Sequence, residues 1–243
     1  MESVFNNGGV IGKRSVYSPA AAASIVSDNL ILHLDAGDMN SYPGTGTIWY
    51  DISGNEYNAT ISGTNRYTST DGGKFDYRLS TTDHIILPHQ SLQNTSGEYT
   101  ITFWLQPQST GTRFFHSVAT SSNDNLQILE ISSNQISSWN GGSGSISFTN
   151  DEIMQVNLTR DSSGTGTIYK NGSNSGGDLT LSDISQVANG GWILNQEQDS
   201  VGGGFSTSQN AYMCIMAVYV YNRVLSTTEL DENFNILKDR FGL

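Results

Sequence analysis

Residues 98–106 read EYTITFWLQ, a stretch in which large apolar side chains recur at every second position. One face of an extended segment carries four of them: Tyr99, Ile101, Phe103 and Leu105. The opposite face carries Thr100, Thr102 and Trp104. Because successive side chains of a strand point to opposite sides of a sheet, this alternation predicts a β-strand with one face in a core.

Further short runs of the same kind follow Asn29, with turn residues between them. They read NLILHLD, EIMQVNLTR, GTIYKNGSN, GWILN and AYMCIMAVYVY. The pair Asn171-Gly172 is a strong hairpin signal, since both central residues of a type I′ turn need positive φ. Many short strands without alternating long helices predict an all-β fold of two packed antiparallel sheets.

One helix is predicted near the end of the chain, in STTELDENFNILKDRFG at 226–242. Ser226 and Glu229 have the spacing of a capping box, which satisfies backbone N–H groups at a helix start. Leu230, Phe234 and Leu237 then form one apolar stripe. We therefore expect a short C-terminal helix that lies against the sandwich.

The composition excludes several classes of function. The 243 residues carry a formal charge of −12, a sign that repels nucleic-acid phosphates and anionic lipid. The longest apolar run, residues 211–221, is too short to cross a bilayer. It contains the single cysteine, Cys214, which we interpret as a buried structural thiol. The chain is expected to be made in a cytoplasm and not to insert into membranes.

Residues 1–27 differ from the rest, because they hold glycine pairs and small residues without a sustained period. Lys13, Arg14 and Glu2 give this arm a charge of +1, so the remainder carries −12 − 1 = −13. A disordered terminus is one interpretation. The apolar content favours docking on another protein, through residues such as Phe5, Val10, Ile11 and Tyr17.

Two long stretches resemble a known family. LILHLDAGDMNSYPGTGTIWYDISGNEYNATISG resembles the opening of laminin-G-like, concanavalin A-like domains of bacteriophage structural proteins, and VYVYNRVLSTTELDENFNILKDRFGL resembles their close. The arm segment GGVIGKR resembles the N-terminal stretch of virion proteins of marine phages. The resemblance covers about residues 28–243 and implies a concanavalin A-like jelly-roll sandwich behind an extended N-terminal arm.

A second resemblance concerns ILNQEQDSVGGGFSTSQ at 193–209, which is similar to the calcium loop of pentraxins. It implies one calcium ion held by oxygens of Asp83, Glu197, the Gln198 carbonyl, Asp199 and Gln209. Ser206 departs from the family, because it stands where pentraxins have an acid. Calcium needs six to eight oxygen ligands, so a single weak site is expected.

Catalysis and glycan binding are the competing interpretations of the polar residues. Glycoside hydrolases of this fold resemble one another in a strand motif of three acids, which places a nucleophile and an acid on one face. Here Glu197-x-Asp199 supplies only the first two acids of that motif. We therefore expect no enzyme activity. Trp49 and Trp139 lie near turns and could stack on a sugar ring, although packing in the core is the alternative for both.

The sequence thus predicts a non-enzymatic virion structural protein: a capsid decoration, head fibre or tail-associated component, made in the host cytoplasm. Its expected partners are other virion proteins (capsid, portal or tail), with a host-surface glycan as a further candidate. It is expected to be oligomeric in the particle. A calcium-assisted carbohydrate-binding lectin is the alternative, and a glycoside hydrolase is the weaker one.

Overall fold

A computed structural model describes residues 24–80, 82–110, 112–119 and 125–243. It holds sixteen strands among these residues, and every strand pairing is antiparallel. The strands are β1 Leu30–Asp35, β2 Ile48–Trp49, β3 Ala59–Ser62, β4 Tyr67–Thr68, β5 Lys74–Asp76, β6 His84–Ile86, β7 Tyr99–Gln106, β8 Arg113–Ala119, β9 Asn125–Ser132, β10 Gln135–Ser138, β11 Ile146–Ser147, β12 Met154–Arg160, β13 Thr165–Lys170, β14 Asn174–Thr180, β15 Val187–Leu194 and β16 Cys214–Tyr221.

The strands form two sheets, as the sequence predicts, and each sheet has eight strands. Sheet A follows the order β14-β13-β12-β7-β16-β5-β4, with β1 also paired to β16. Sheet B follows the order β11-β10-β9-β8-β15-β6-β3-β2. The sheets pack face to face, and the rings of Phe103 from sheet A and Phe115 from sheet B lie 5.6 Å apart. The predicted sandwich is confirmed.

Strand β7 occupies the middle of sheet A, between β12 and β16. The four apolar residues of its inner face are all buried in the core between the sheets: Tyr99, Ile101, Phe103 and Leu105. Its outer face is buried too, because Trp104 stacks on Phe234 and contacts Phe241 at the C-terminal end of the chain. The hairpin between β13 and β14 also follows the prediction, with φ of 51° at Asn171 and 81° at Gly172.

Two α-helices lie in the described part of the chain: α1 His89–Gln93 and α2 Thr227–Leu237. Helix α2 begins with the predicted capping box of Ser226 and Glu229. A 3-10 turn, Lys238–Phe241, continues it, and another, Thr70–Gly72, precedes β5. None of these helices is long and apolar enough to cross a membrane. Helix α2 covers the outer face of sheet A, where Leu230 and Leu237 are buried.

The first described residues also pack on this outer face. Ile25 is 9% exposed and lies in the same apolar cluster as Trp104 and Leu230. The Val26 N–H donates a hydrogen bond to Asn233 Oδ1 at 2.8 Å. Residues 25 and 26, which the sequence assigns to the arm, thus belong to the packed body because their apolar side chains complete the α2 interface.

Candidate functional site

The loop that carries most of the predicted calcium ligands begins where β15 ends. Strand β15 stops at Leu194, and Asn195 has φ of 72°, so the backbone leaves the extended conformation there. Glu197 is consequently buried and Asp199 exposed. Two residues at i and i+2 would share a face only on a strand. The two carboxylates therefore do not form a pair on one sheet face.

The glycines of this loop make a tight turn. Ser200 and Gly203 pair as an isolated antiparallel bridge. Gly204 has φ of +74°, and a Cβ there would lie 2.7 Å from the Asp199 Cβ. Gln198 Oε1 accepts a hydrogen bond from the Gly202 N–H at 2.7 Å, and Gln198 Nε2 donates to the Gly190 carbonyl at 3.2 Å. The Gln198 side chain thus holds the turn against β15.

Glu197 is only 4% exposed, and its Oε2 atom has no hydrogen-bond partner among the described residues. Burial raises the pKa of this carboxyl, the charge of Arg113 opposes that rise, and Asp199 adds to it. Since a buried carboxylate without a partner is costly, protonation of Glu197 is favoured relative to an exposed glutamate.

Asp83 lies close to the start of the loop, because its backbone carbonyl accepts a hydrogen bond from Asn195 Nδ2 at 3.0 Å. Its carboxylate is engaged elsewhere. Oδ2 accepts from Arg66 Nε at 2.8 Å, and Oδ1 accepts from the Thr64 N–H at 3.0 Å. Burial alone would raise the pKa of Asp83, but these hydrogen bonds outweigh it and the pKa lies below its usual value. The carboxylate is therefore ionised and neutralised by Arg66.

The structure does not assemble the oxygen set that the pentraxin resemblance implies. Gln209 is half-buried, and its N–H donates to the Ser206 carbonyl at 3.1 Å. Throughout the described ranges, no group of three or more His, Cys, Asp or Glu side chains is arranged to hold a metal ion. These residues do not fit the expected calcium site, because the Asp83 carboxylate already forms an ion pair with Arg66. Calcium binding stays a prediction, and no functional step is assigned to it.

The two tryptophans proposed for ligand stacking have opposite environments. Trp49 is 0% exposed, with its ring 4.9 Å from that of Phe75, so the structure assigns it to the core rather than to a ligand surface. Strand β2 directs this ring between the sheets. Trp139, which follows β10, is 52% exposed. The Arg113 guanidinium carbon lies 5.6 Å from the centre of the Trp139 ring.

Trp139 and Arg113 lie on the outer face of sheet B. Glu130 follows Leu129 and precedes Ile131, which both face the core, so alternation directs Glu130 outward. Arg113 is the register partner of Glu130, and Arg113 Nε lies 4.0 Å from Glu130 Oε2. An exposed tryptophan beside an ion pair can contact a ligand through its ring face and through charged hydrogen bonds.

A second pair of acids with the spacing of Glu197 and Asp199, Glu229 and Asp231 of α2, is held in structural roles. Glu229 accepts two hydrogen bonds from Arg223, at 2.9 and 2.6 Å, besides its bonds in the capping box. Asp231 accepts from the N–H and hydroxyl of Ser173. The Arg223 guanidinium holds the pKa of Glu229 at about 2.

One group of polar residues was not predicted from the sequence. Arg66, Lys74 and Arg78 line a groove at the edge of sheet A. Their spacing was the available signal, because three of only eleven basic residues fall within residues 66–78.

The predicted docking residues of the arm lie outside the described residues: Phe5, Val10, Ile11 and Tyr17.

Residues 79–231 match the sequence model of the concanavalin A-like lectin/glucanases superfamily, a laminin-G-type family. No curated protein matches the chain. Among solved structures, the chain resembles a Trypanosoma rangeli sialidase mutant displaying trans-sialidase activity, at 15% identity and a TM-score of 0.63. That similarity covers 91% of this chain and 35% of the sialidase.

The binding domain of botulinum neurotoxin DC, solved in complex with rat synaptotagmin II, is also similar. It is 17% identical with a TM-score of 0.56, over 87% of this chain and 52% of that domain. The chain therefore spans about a third to a half of the length of these structures. At such identities the likeness concerns the fold alone.

Proposed function

This chain belongs to the concanavalin A-like lectin/glucanases superfamily, and we propose that it is a non-enzymatic structural protein of a bacteriophage particle. In this proposal the N-terminal segment attaches the protein to another virion protein, and the sandwich is displayed outward. The resemblance of the stretches at 30–63 and 218–243, and of GGVIGKR at 8–14, to phage virion proteins supports this role.

The arrangement of the two outer faces carries the proposal. Residues 24–27 join the body on the α2 side of sheet A, where Ile25 is buried and Val26 is bonded to Asn233. The exposed Trp139 and its neighbour Arg113 lie on the outer face of sheet B. An attachment on one side of a sandwich leaves the other side free for display.

The candidate acids do not form a pair on one face, and this supports the non-enzymatic part of the proposal. A retaining glycosidase needs two carboxyl groups about 5–5.5 Å apart on one face. Here Glu197 is buried and Asp199 is exposed, while Glu229 and Asp231 are bonded to Arg223 and Ser173. Glu197 and Asp199 thus belong to a turn, and Glu229 and Asp231 belong to the first turns of α2.

The attachment is tested with a truncation that respects the packed boundary. Deleting residues 1–23 keeps Ile25 and Val26, so the body should keep its melting temperature. Particles that lack the native protein are mixed with the full chain, the truncated chain or a chain with residues 1–23 in scrambled order. We expect only the full chain to co-sediment with the particles, and equal recovery of all three would overturn the proposal.

Glycan binding by the outer face of sheet B is the second candidate, and the exposed ring of Trp139 favours it. Trp139→Ala should abolish retention on a glycan array if that ring stacks on a sugar. Tyr50→Ala is the matched control, because Tyr50 is 45% exposed elsewhere on the surface. Equal retention by both variants would exclude Trp139 as the contact.

A further inference from the structure

A groove of about 900 Å³ lies at the edge of sheet A. One wall is formed by residues 66–71, which include the edge strand β4 and the 3-10 turn. Arg78 and Leu79 line it after β5, and Gln108 and Thr110 line it after β7. The groove is distinct from the Trp139 face, which lies on sheet B. Its volume is within the range of small-molecule sites.

Two of its three basic residues each form an ion pair with at least one carboxylate. Arg78 bonds Asp76 through Nε at 2.9 Å and Nη2 at 2.5 Å, and Asp151 through Nη1 at 2.5 Å. Lys74 is 3% exposed, and its Nζ donates to Asp71 Oδ2 at 2.5 Å and to Gln106 Oε1 at 2.9 Å. These pairs neutralise the charges of Arg78 and Lys74.

Arg66 differs from the other two. Only its Nε is used, in the bond to Asp83. Neither Nη1 nor Nη2 forms a hydrogen bond with any residue that the structure describes, and the side chain is 35% exposed. A guanidinium held at Nε presents its two Nη groups as a planar fork, which matches the geometry of a carboxylate. Asp83 therefore positions Arg66 with its fork available to a ligand in the groove.

The remaining lining indicates what the rest of that ligand is. Threonine hydroxyls and an amide recur along the walls, at Thr68, Thr70, Thr110 and Gln108. Leu79 is 89% exposed at the rim. Side-chain hydroxyls and amides suit a polyhydroxyl chain. A peptide that adds a strand needs a long edge, and β4 has only two residues.

We propose that this groove binds an acidic saccharide, with a sugar carboxylate paired to the fork of Arg66 and sugar hydroxyls bonded to the threonine walls. The net charge of −12 opposes anions at long range, but that repulsion is screened beyond about 8 Å at physiological salt. The contacts in the groove then decide affinity. The proposal is independent of the virion role.

The test measures binding of tetragalacturonate to the full chain by calorimetry, with neutral maltotetraose and the peptide tetraglutamate as comparison ligands. We expect tetragalacturonate alone to bind. Arg66→Lys should weaken it about tenfold or more, since lysine lacks the planar fork. Arg113→Lys, on the other sheet, should leave it unchanged. Absence of tetragalacturonate binding, or tighter binding of tetraglutamate, would overturn the proposal.

A second pair of variants keeps the test independent of the Arg66–Asp83 ion pair. Leu79 is exposed, so Leu79→Glu and Leu79→Lys should both fold normally, as a thermal melt will verify. Leu79→Glu should weaken tetragalacturonate binding about fivefold, and Leu79→Lys should strengthen it by a similar factor. Equal affinities for the two variants would place the saccharide elsewhere and contradict the proposal.

Discussion

Arg240 forms a two-pronged ion pair with Asp35, which lies 205 residues earlier in the chain. Nη1 donates to Oδ2 at 2.9 Å, and Nη2 donates to Oδ1 at 2.8 Å. Asp35 is 5% exposed at the end of β1. The contact joins the end of the chain to the first strand of the sandwich.

Replacing Arg240 should therefore be costly. Arg240→Met leaves the buried Asp35 carboxylate without its cation, and we expect the free energy of unfolding to fall by about 3 kcal/mol. Urea denaturation will measure it. Lys238→Met is the control, since that residue forms no ion pair among the described residues, and it should change stability by less than about 0.5 kcal/mol. Similar effects of the two changes would show that the pair contributes little.

The face of α2 allows a graded test. Leu230 is fully buried, so Leu230→Ala should cost about 2–5 kcal/mol. Phe234 is half-buried and stacks on Trp104 with ring centres 5.7 Å apart, so Phe234→Ala should cost only about 1–2 kcal/mol. Ser226→Ala should cost about 1 kcal/mol through the lost cap. Denaturation curves that rank Phe234→Ala above Leu230→Ala would contradict this packing.

The buried Glu197 should make stability depend on pH. Its pKa is raised in the folded state, so the folded protein binds this proton more tightly than the unfolded chain does. The Glu197 contribution to stability is then most favourable below the unfolded pKa and declines as pH rises through the folded pKa. Glu197→Gln removes this term.

Unfolding at pH 4.5 and pH 7 will check the sign. The variant should gain stability relative to wild type at pH 7, and the gain should shrink at pH 4.5. Asp199→Asn, at an exposed position of the same loop, serves as the control. A glutamine variant that loses stability at pH 7 would mean that the Glu197 carboxylate has a stabilising partner.

Melting temperatures with and without calcium can test whether the Arg66–Asp83 ion pair limits calcium binding. Since Arg66 neutralises Asp83, we expect millimolar calcium to shift the melting temperature of Arg66→Gln more than that of wild type. At a hundredfold excess over the dissociation constant, a bound ion stabilises a fold by about 2.7 kcal/mol. A wild-type shift of that size, abolished by Asp199→Asn, would instead support the site implied by the pentraxin resemblance.

Position 63, directly after β3, requires glycine because the backbone there has a positive φ and lies against the Asp83 side chain. It has φ of +89°, and a Cβ there would lie 2.1 Å from Asp83 Oδ1. Gly46 has a similar φ of +96°, but apart from its chain neighbours no atom of the described residues lies within 4 Å of its Cβ position. Gly46→Ala should cost about 1–2 kcal/mol from backbone strain alone. Thermal melts should show a larger loss for Gly63→Ala, and equal losses would mean that Asp83 moves freely.

The sequence by itself determined six of the sixteen described strands, the hairpin and the helix start. The alternation at 98–106, the pair Asn171-Gly172 and the spacing of Ser226 and Glu229 act between residues at most a few positions apart, and each appears in the structure as predicted. Side-chain alternation, positive φ and capping are local preferences of the backbone. The sandwich follows from them because every strand must bury one face.

Only the tertiary structure decided which polar and aromatic side chains are available to a ligand. Glu197 and Asp199 look like a pair in the sequence, but the turn at Asn195 buries one and exposes the other. Trp49 and Trp139 both lie near turns, yet only Trp139 is exposed. Asp83 is bonded to Arg66, 17 residues earlier, and Asp35 to Arg240. Burial and ion pairing depend on which distant strands meet, and no local pattern encodes that.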